Sequence, residues 1–216
     1  MKKILSGFII IGLLSLVGWG TSSSVKIGEQ EWMSRNLNVD HFRNGDIIPE
    51  AKTNEDWKKA GDEKRPAWCY YHNEPSNGEK YGKLYNFYAT SDPRGLAPKG
   101  WHLPTDSEWA VLTDYLTINE HSGTEGKALK STSGWSDKKD GTTGNGTDDY
   151  GWNALPGGYR YGFGEFSSIG YSVYWWSSSQ YHPNSAWNRG LSNYLDYVYR
   201  HGISKKDGFY VRCLRD

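Results

Sequence analysis

Aromatic rings, not aliphatic chains, have to fill the core of this chain. Its 216 residues include 11 Trp, 16 Tyr and 6 Phe, while the whole hydrophobic fraction is only 36%. A core of rings must also find partners for indole N–H and phenol O–H groups, so Trp and Tyr should place their polar tips at its margin. The length suits one domain behind a short leader. The 25 basic residues are matched by 25 acidic ones. That balance leaves no surplus for phosphate contacts, so no nucleic-acid partner is expected.

The N-terminus has the three parts of a secretory signal peptide over residues 1–20. Met1-Lys2-Lys3 is basic, Phe8 to Trp19 is apolar, and small residues follow, with the mature chain expected to start between Gly20 and Ser24. The apolar run is shorter than the roughly 20 residues of a membrane span. No later segment approaches that length, so no transmembrane span is expected once the signal is removed. The expected location is exported: secreted, periplasmic or outer-membrane associated. Leu16-Val17-Gly18 resembles the start of a bacterial lipobox, but Trp19 stands where the lipidated Cys would be. In an exported protein the two cysteines, Cys69 and Cys213, most simply form a disulfide, the alternative being a pair of reactive thiols.

Along the chain, residues 25–39 read as two short strands around Gly28-Glu29, and Asn44-Gly45 marks a hairpin. Residues 50–66 read as a polar surface loop with a short helical turn, 67–71 as a strand, and 72–80 as a turn-rich loop. Leu84, Tyr85 and Tyr88 lie at helical spacing, which predicts a short aromatic helix within 81–90. Thr105 followed by Glu108 forms a capping box. Trp109, Leu112, Tyr115 and Leu116 continue it as one apolar face, so a helix is predicted over 106–116. Residues 130–149 are dominated by helix breakers and read as a long loop of the kind that carries function or mobility. Strands then return at 154–155, 159–163, 174–178, 186–191, 195–200 and 209–214. These elements describe one α+β domain.

Several motifs follow one another along the chain: Ile27-Gly28-Glu29-Gln30-Glu31-Trp32-Met33, Trp68-Cys69-Tyr70-Tyr71, Tyr81-Gly82-Lys83-Leu84-Tyr85-Asn86 and Gly100-Trp101-His102-Leu103-Pro104-Thr105. Ala154-Leu155-Pro156-Gly157-Gly158-Tyr159-Arg160, Tyr174-Trp175-Trp176-Ser177-Ser178 and Val211-Arg212-Cys213 follow. With this set the chain resembles the Fibrobacter succinogenes major paralogous domain family of exported bacterial proteins, over nearly all of the mature sequence. The resemblance implies a single C-type-lectin-like domain over 25–216, with two short helices, antiparallel strands and long irregular loops. The formylglycine-generating enzymes share that fold. They are similar at Leu103-Pro104-Thr105 through Glu108-Trp109 and at Gly208-Phe209 through Cys213. What they imply is an oxidase holding copper on a cysteine pair, here Cys69 and Cys213. Many family members carry a Cys where this chain has Ala97, which leaves Cys69 as the intramolecular partner for Cys213. Shared scaffold does not by itself transfer chemistry.

The residues offer little else for catalysis. Cys69 and His72, if on one strand, point to opposite faces. Neither a zinc-type Cys/His cluster nor a phosphate-cradling glycine loop is present. Asn145, Thr147, Asp148 and Asp149 place oxygen ligands of the calcium type close together, with Asp148 and Asp149 as the candidate metal ligands. Turn capping accounts for the same residues. Apart from such a structural calcium, no cofactor is expected. The tyrosine-rich last third is different. Tyr159, Tyr161, Tyr181, Trp187, Tyr194, Tyr197 and Tyr199 stand among Gly, Asn and Ser, the composition of adaptable binding surfaces. Cross-strand ring pairing is the competing account. The sequence thus predicts a non-enzymatic module that binds a glycan or a surface protein through these rings and the 130–149 loop. The copper or thiol oxidase and an accessory subunit of an outer-membrane complex are the alternatives.

Overall fold

Strands from the two ends of the domain pair with each other. In the computed structural model, which describes residues 24–216, β1 (Ser24–Ile27) and β2 (Gln30–Met33) form the hairpin expected around Gly28. On its other side β2 takes β11 (Leu214–Arg215), which in turn takes β5 (Trp101–His102). The signal peptide expected over 1–20 lies outside the described residues. A two-stranded ladder, β3 (Trp68–Cys69) with β4 (Leu84–Tyr85), stands apart from this sheet.

A second sheet carries the last third of the chain. It comprises β6 (Gly157–Arg160), β7 (Phe166–Ile169), β8 (Ser172–His182), β9 (Ser185–Ser192) and β10 (Tyr199–Ser204), in the order β10-β9-β8-β6-β7. Its neighbours are antiparallel except β6 and β8, which meet in parallel at Gly158 and Val173. Residues 195–200, read as a strand, are irregular up to Val198, and β10 begins only at Tyr199.

The helices are short, and there are five α-helices among the described residues rather than two. α4 (Asp106–Leu116) begins where its capping box predicts: Thr105 Oγ1 accepts from the Glu108 N–H at 3.2 Å, and Glu108 Oε2 accepts from the Thr105 N–H at 2.7 Å. Residues 50–66 hold a full helix, α1 (Asn54–Asp62), started by a second capping box between Thr53 and Asp56. The 72–80 segment is not loop either. It contains α2 (Pro75–Tyr81), with Pro75 in the first turn, where its missing N–H costs nothing. The aromatic helix expected over 81–90 splits into β4 and α3 (Phe87–Thr90). Tyr85 exchanges backbone hydrogen bonds with Phe209, and this ladder wins over local helical spacing. Gly82, at φ 85, ends α2 in a conformation a Cβ would strain. α5 (Glu125–Leu129) opens the long loop.

Rings do fill the core. Trp175 and Trp176, adjacent on β8, face opposite sides of the sheet. Trp175 joins Trp32, Trp109 and Trp152 in one cluster, with Trp32 and Trp109 centroids 4.8 Å apart. Trp176 packs with Phe87 and Phe209 in another. Most indole N–H groups find carbonyls or amides, as Trp57 does on Lys206 O and Trp175 on Asn36 Oδ1. Trp109 and Trp152 leave theirs unpaired.

The expected Cys69–Cys213 disulfide is not formed, and both thiols are free and buried. Cys69 belongs to the first cluster through the β3–β4 ladder, whereas closure of the chain ends carries Cys213 into the second. Burial pushes each thiol up to about 12, so both are protonated at neutral pH.

Candidate functional site: a tyrosine-walled cleft

Strand alternation divides the predicted rings between the two faces of the second sheet. One face presents Tyr159 from β6, Tyr174 from β8, Asn188 and Gly190 from β9, and Tyr199 and His201 from β10, which the register sets side by side. Over this face lies a cleft of about 370 Å³, within the usual range of small-ligand sites. Its lining includes Tyr159, Tyr161, Tyr194, Tyr197 and Tyr199, five of the seven predicted rings. Tyr174, Asn188, His201, Asp207 and Phe209 also line it.

The other two rings lie elsewhere. Trp187 pairs with Gly202 on the opposite face, where Tyr181 packs on it at 4.3 Å and the Arg200 guanidinium covers it at 3.2 Å. That face is tied to the start of α4: Arg189 and Arg200 both donate to the Asp106 carboxylate. Tyr181 and Trp187 therefore serve a surface separate from the cleft.

Within the cleft the rings are held at steep angles. Tyr159 meets Tyr161 and Tyr174 at 76°, and Tyr174 meets Tyr199 at 75°. Tyr159 donates to the Tyr161 hydroxyl at 2.6 Å, and burial raises the Tyr159 phenol to about 12. Tyr199 lies across Gly190, where a Cβ would come within 2.6 Å of its ring. Tyr194 and Tyr197 form the outer wall and are 66% and 45% exposed, so their faces are open to a ligand.

The long 130–149 loop, expected to touch the ligand, contributes no lining residue. It braces the wall from behind. Buried Lys130 donates to Ser192 O and Leu195 O, Lys138 pairs with Asp196, and Asn193 Nδ2 donates to Ser136 O and Asp137 O. Trp135 anchors the loop through Ser131 and Ala154. Its candidate calcium ligands also accept local hydrogen bonds. Asp148 Oδ1 accepts from the Asn153 N–H, Asp149 Oδ2 from Thr147, and Asn145 Oδ1 from the Trp135 N–H. Among the described residues, no three His, Cys, Asp or Glu side chains gather as metal ligands.

Sequence reasoning missed Asp207 altogether. In Lys205-Lys206-Asp207-Gly208 it reads as an ordinary turn residue, yet it is 8% exposed and lines the cleft. Its Oδ1 accepts from the Gly162 N–H at 2.7 Å. Burial raises its carboxyl to about 6 despite that bond. The neighbouring lysines are committed elsewhere, Lys205 to Gln180 and Pro183 O, and Lys206 to Asp62. Asn188 was missed too: its Nδ2 donates to His201 O, while its buried Oδ1 has no partner among the described residues.

A second cleft, of about 410 Å³, lies between the segment after β2 and α2 and includes Arg35, Asn36, Lys80 and Arg212. Arg212 is buried at its base. Its Nε and Nη2 donate to Asn36 Oδ1, its Nη1 donates to Trp152 O, and its guanidinium lies over the Trp152 ring at 4.6 Å.

Among the described residues no helix is long and apolar enough to cross a membrane. Comparison with curated proteins and with solved structures gave no match. The model of the Fibrobacter succinogenes major domain matches residues 25–215, so the chain belongs to that family.

Proposed function

We propose that this chain is an exported, non-enzymatic binding module with a C-type-lectin-like fold that holds a glycan in the tyrosine-walled cleft. The reading is carried by one observation: five rings picked out by composition converge on a single cleft, two with exposed faces at its rim. Such faces suit the apolar sides of sugar rings, and the phenols around them suit hydroxyls. Pairing of β2, near the start of the domain, with the last strand, β11, supports the lectin-like fold. The oxidase reading draws no support from two protonated thiols held in separate clusters. The test is a glycan array probed with the domain over residues 24–216, repeated with Tyr197→Ala. Glycan-selective binding that the substitution weakens is expected. An array without signal, together with capture of a protein partner at the same rings, would replace the glycan by a protein.

A further inference from the structure

We infer that the cleft selects a sugar bearing a free, protonated amine, with Asp207 accepting from the ammonium and the surrounding tyrosine rings enclosing it. The inference rests on the reading of the cleft as a glycan site and names the class of sugar.

Three observations carry it. First, Asp207 is a buried carboxylate with no counter-ion. Apart from the Gly162 N–H on Oδ1, its carboxylate has no hydrogen bond among the described residues, so Oδ2 is an open acceptor. No Lys or Arg among the described residues forms an ion pair with it, and both adjacent lysines are bound elsewhere. A buried carboxylate left in this condition costs free energy unless something pairs with it. A ligand cation supplies that partner.

Second, the walls suit a cation. Tyr159, Tyr161, Tyr174 and Tyr199 share the cleft with Asp207, and successive rings stand at 75–76° to one another. Ring faces turned at steep angles around a small volume attract ammonium groups through their quadrupoles. Among the described residues no Lys or Arg lines the cleft to repel one, and the ionisable side chains there besides the tyrosines are His201 and Asp207.

Third, the floor holds a second unmatched acceptor. Asn188 Oδ1 is buried without a donor, which leaves the negative end of its amide dipole uncompensated beneath the same rings. Two unmatched acceptors, Asp207 Oδ2 and Asn188 Oδ1, thus belong to one ring-walled cleft. The carboxyl value of about 6 agrees with this picture: the side chain is ionised at neutral pH only at a cost that a bound ammonium would relieve. A sugar is favoured over a lysine side chain because the site is a broad cleft with two exposed ring faces at its rim, not a narrow channel.

Three β-1,4-linked trisaccharides test the inference, differing only in the group at C2: free amine, acetamide or hydroxyl. Binding to the domain is measured by titration calorimetry at a pH slightly below neutral, where the amine is protonated and Asp207 ionised. The amine-bearing trisaccharide is expected to bind about tenfold tighter than the other two, the scale of one charge-assisted hydrogen bond. Asp207→Asn should erase that preference, so that the three trisaccharides bind alike. Tyr181→Phe, on the opposite face of the sheet, should retain the preference. Equal or tighter binding of the acetamide or hydroxyl form overturns the amine assignment but leaves the glycan reading intact. Binding of N-acetyl-lysine amide alone, or of no trisaccharide, overturns both.

Discussion

Two buried charges, each beside its own cleft, are held in opposite ways. Arg212 has its guanidinium spanned by Asn36 and Trp152 O and covered by the Trp152 and Trp175 rings. Its pKa is pulled down by burial to about 9, yet its donors are engaged. Asp207, about as buried, has one backbone N–H and nothing more. A buried charge with its hydrogen bonds filled behaves as part of the framework. One with an open atom facing a cleft is a group waiting for a ligand. The two should therefore respond to substitution with opposite signs.

The largest effect is expected at Arg212. Arg212→Ala removes a brace between the segment after β2 and the tryptophan cluster and leaves Trp152 O unpaired. A loss of about 3–5 kcal/mol is expected, read from the urea midpoint. Arg212→Lys should recover little, because one ammonium cannot replace a fork that reaches both partners. A loss below about 1 kcal/mol would break the contrast.

Asp207→Asn should stabilise the protein. The folded carboxyl lies near 6 against an ordinary 3.8, so between those values the folded chain holds a proton that the unfolded chain releases. Stability therefore falls as pH rises through that window, and above it the ionised side chain costs about 3 kcal/mol. Asparagine keeps an acceptor for the Gly162 N–H without the charge. The variant should melt higher than the parent at pH 7.5 and alike at pH 4. Equal melting at both pH values would mean that Asp207 is already paired, and the difference from Arg212 would vanish. The titratable groups lining the cleft with it, His201 and the six tyrosines at 159, 161, 174, 194, 197 and 199, are unchanged in the variant.

Gly190→Ala sharpens the comparison from the floor of the cleft. The added Cβ would come 2.6 Å from the Tyr199 ring, which has to shift. Overpacking of this kind costs about 1–3 kcal/mol. Ligand affinity should fall with it although no wall residue has been removed, and unchanged affinity would show that Tyr199 is not part of the binding surface.

How much of this was legible beforehand depends on whether the signal is local. The capping box at Thr105 and Glu108 and the apolar spacing after it lie within one segment, and α4 formed over 106–116 as read. The same kind of box at Thr53 and Asp56 was hidden because Trp57 is the single large apolar residue of a charged stretch. The tyrosine-rich composition of the last third was visible, and five of the seven rings line one cleft. Their division between two faces was not, since it depends on the register that sets Gly190 beside Tyr199 and Trp187 beside Gly202. Asp207 was invisible for a further reason: its burial and lack of a counter-ion depend on where Lys205 and Lys206 find partners, on β8 and α1. The cysteine pair failed similarly, because pairing is decided by which cluster each strand enters.

The smallest stability effect belongs to the outer wall, and there the two faces of the sheet can be told apart. Tyr197 is 45% exposed and Trp187 is covered by Tyr181 and Arg200. Tyr197→Ala should change stability by less than about 0.5 kcal/mol while weakening ligand binding severalfold, since an exposed ring at a rim contributes to contact and not to the core. Trp187→Ala should do the reverse. It removes the ring on which Tyr181 and Arg200 rest, so melting should drop, while ligand affinity stays within twofold because that face never meets the cleft. Melting curves and titrations on the two variants, made side by side, separate these outcomes. If both substitutions weaken binding equally, the ligand wraps around the β10 edge to touch both faces, and the binding surface is larger than the cleft. If Tyr197→Ala lowers melting as much as Trp187→Ala does, residues 193–198 are framework braced by Lys130 and the wall of the site lies deeper, at Tyr174 and Tyr199.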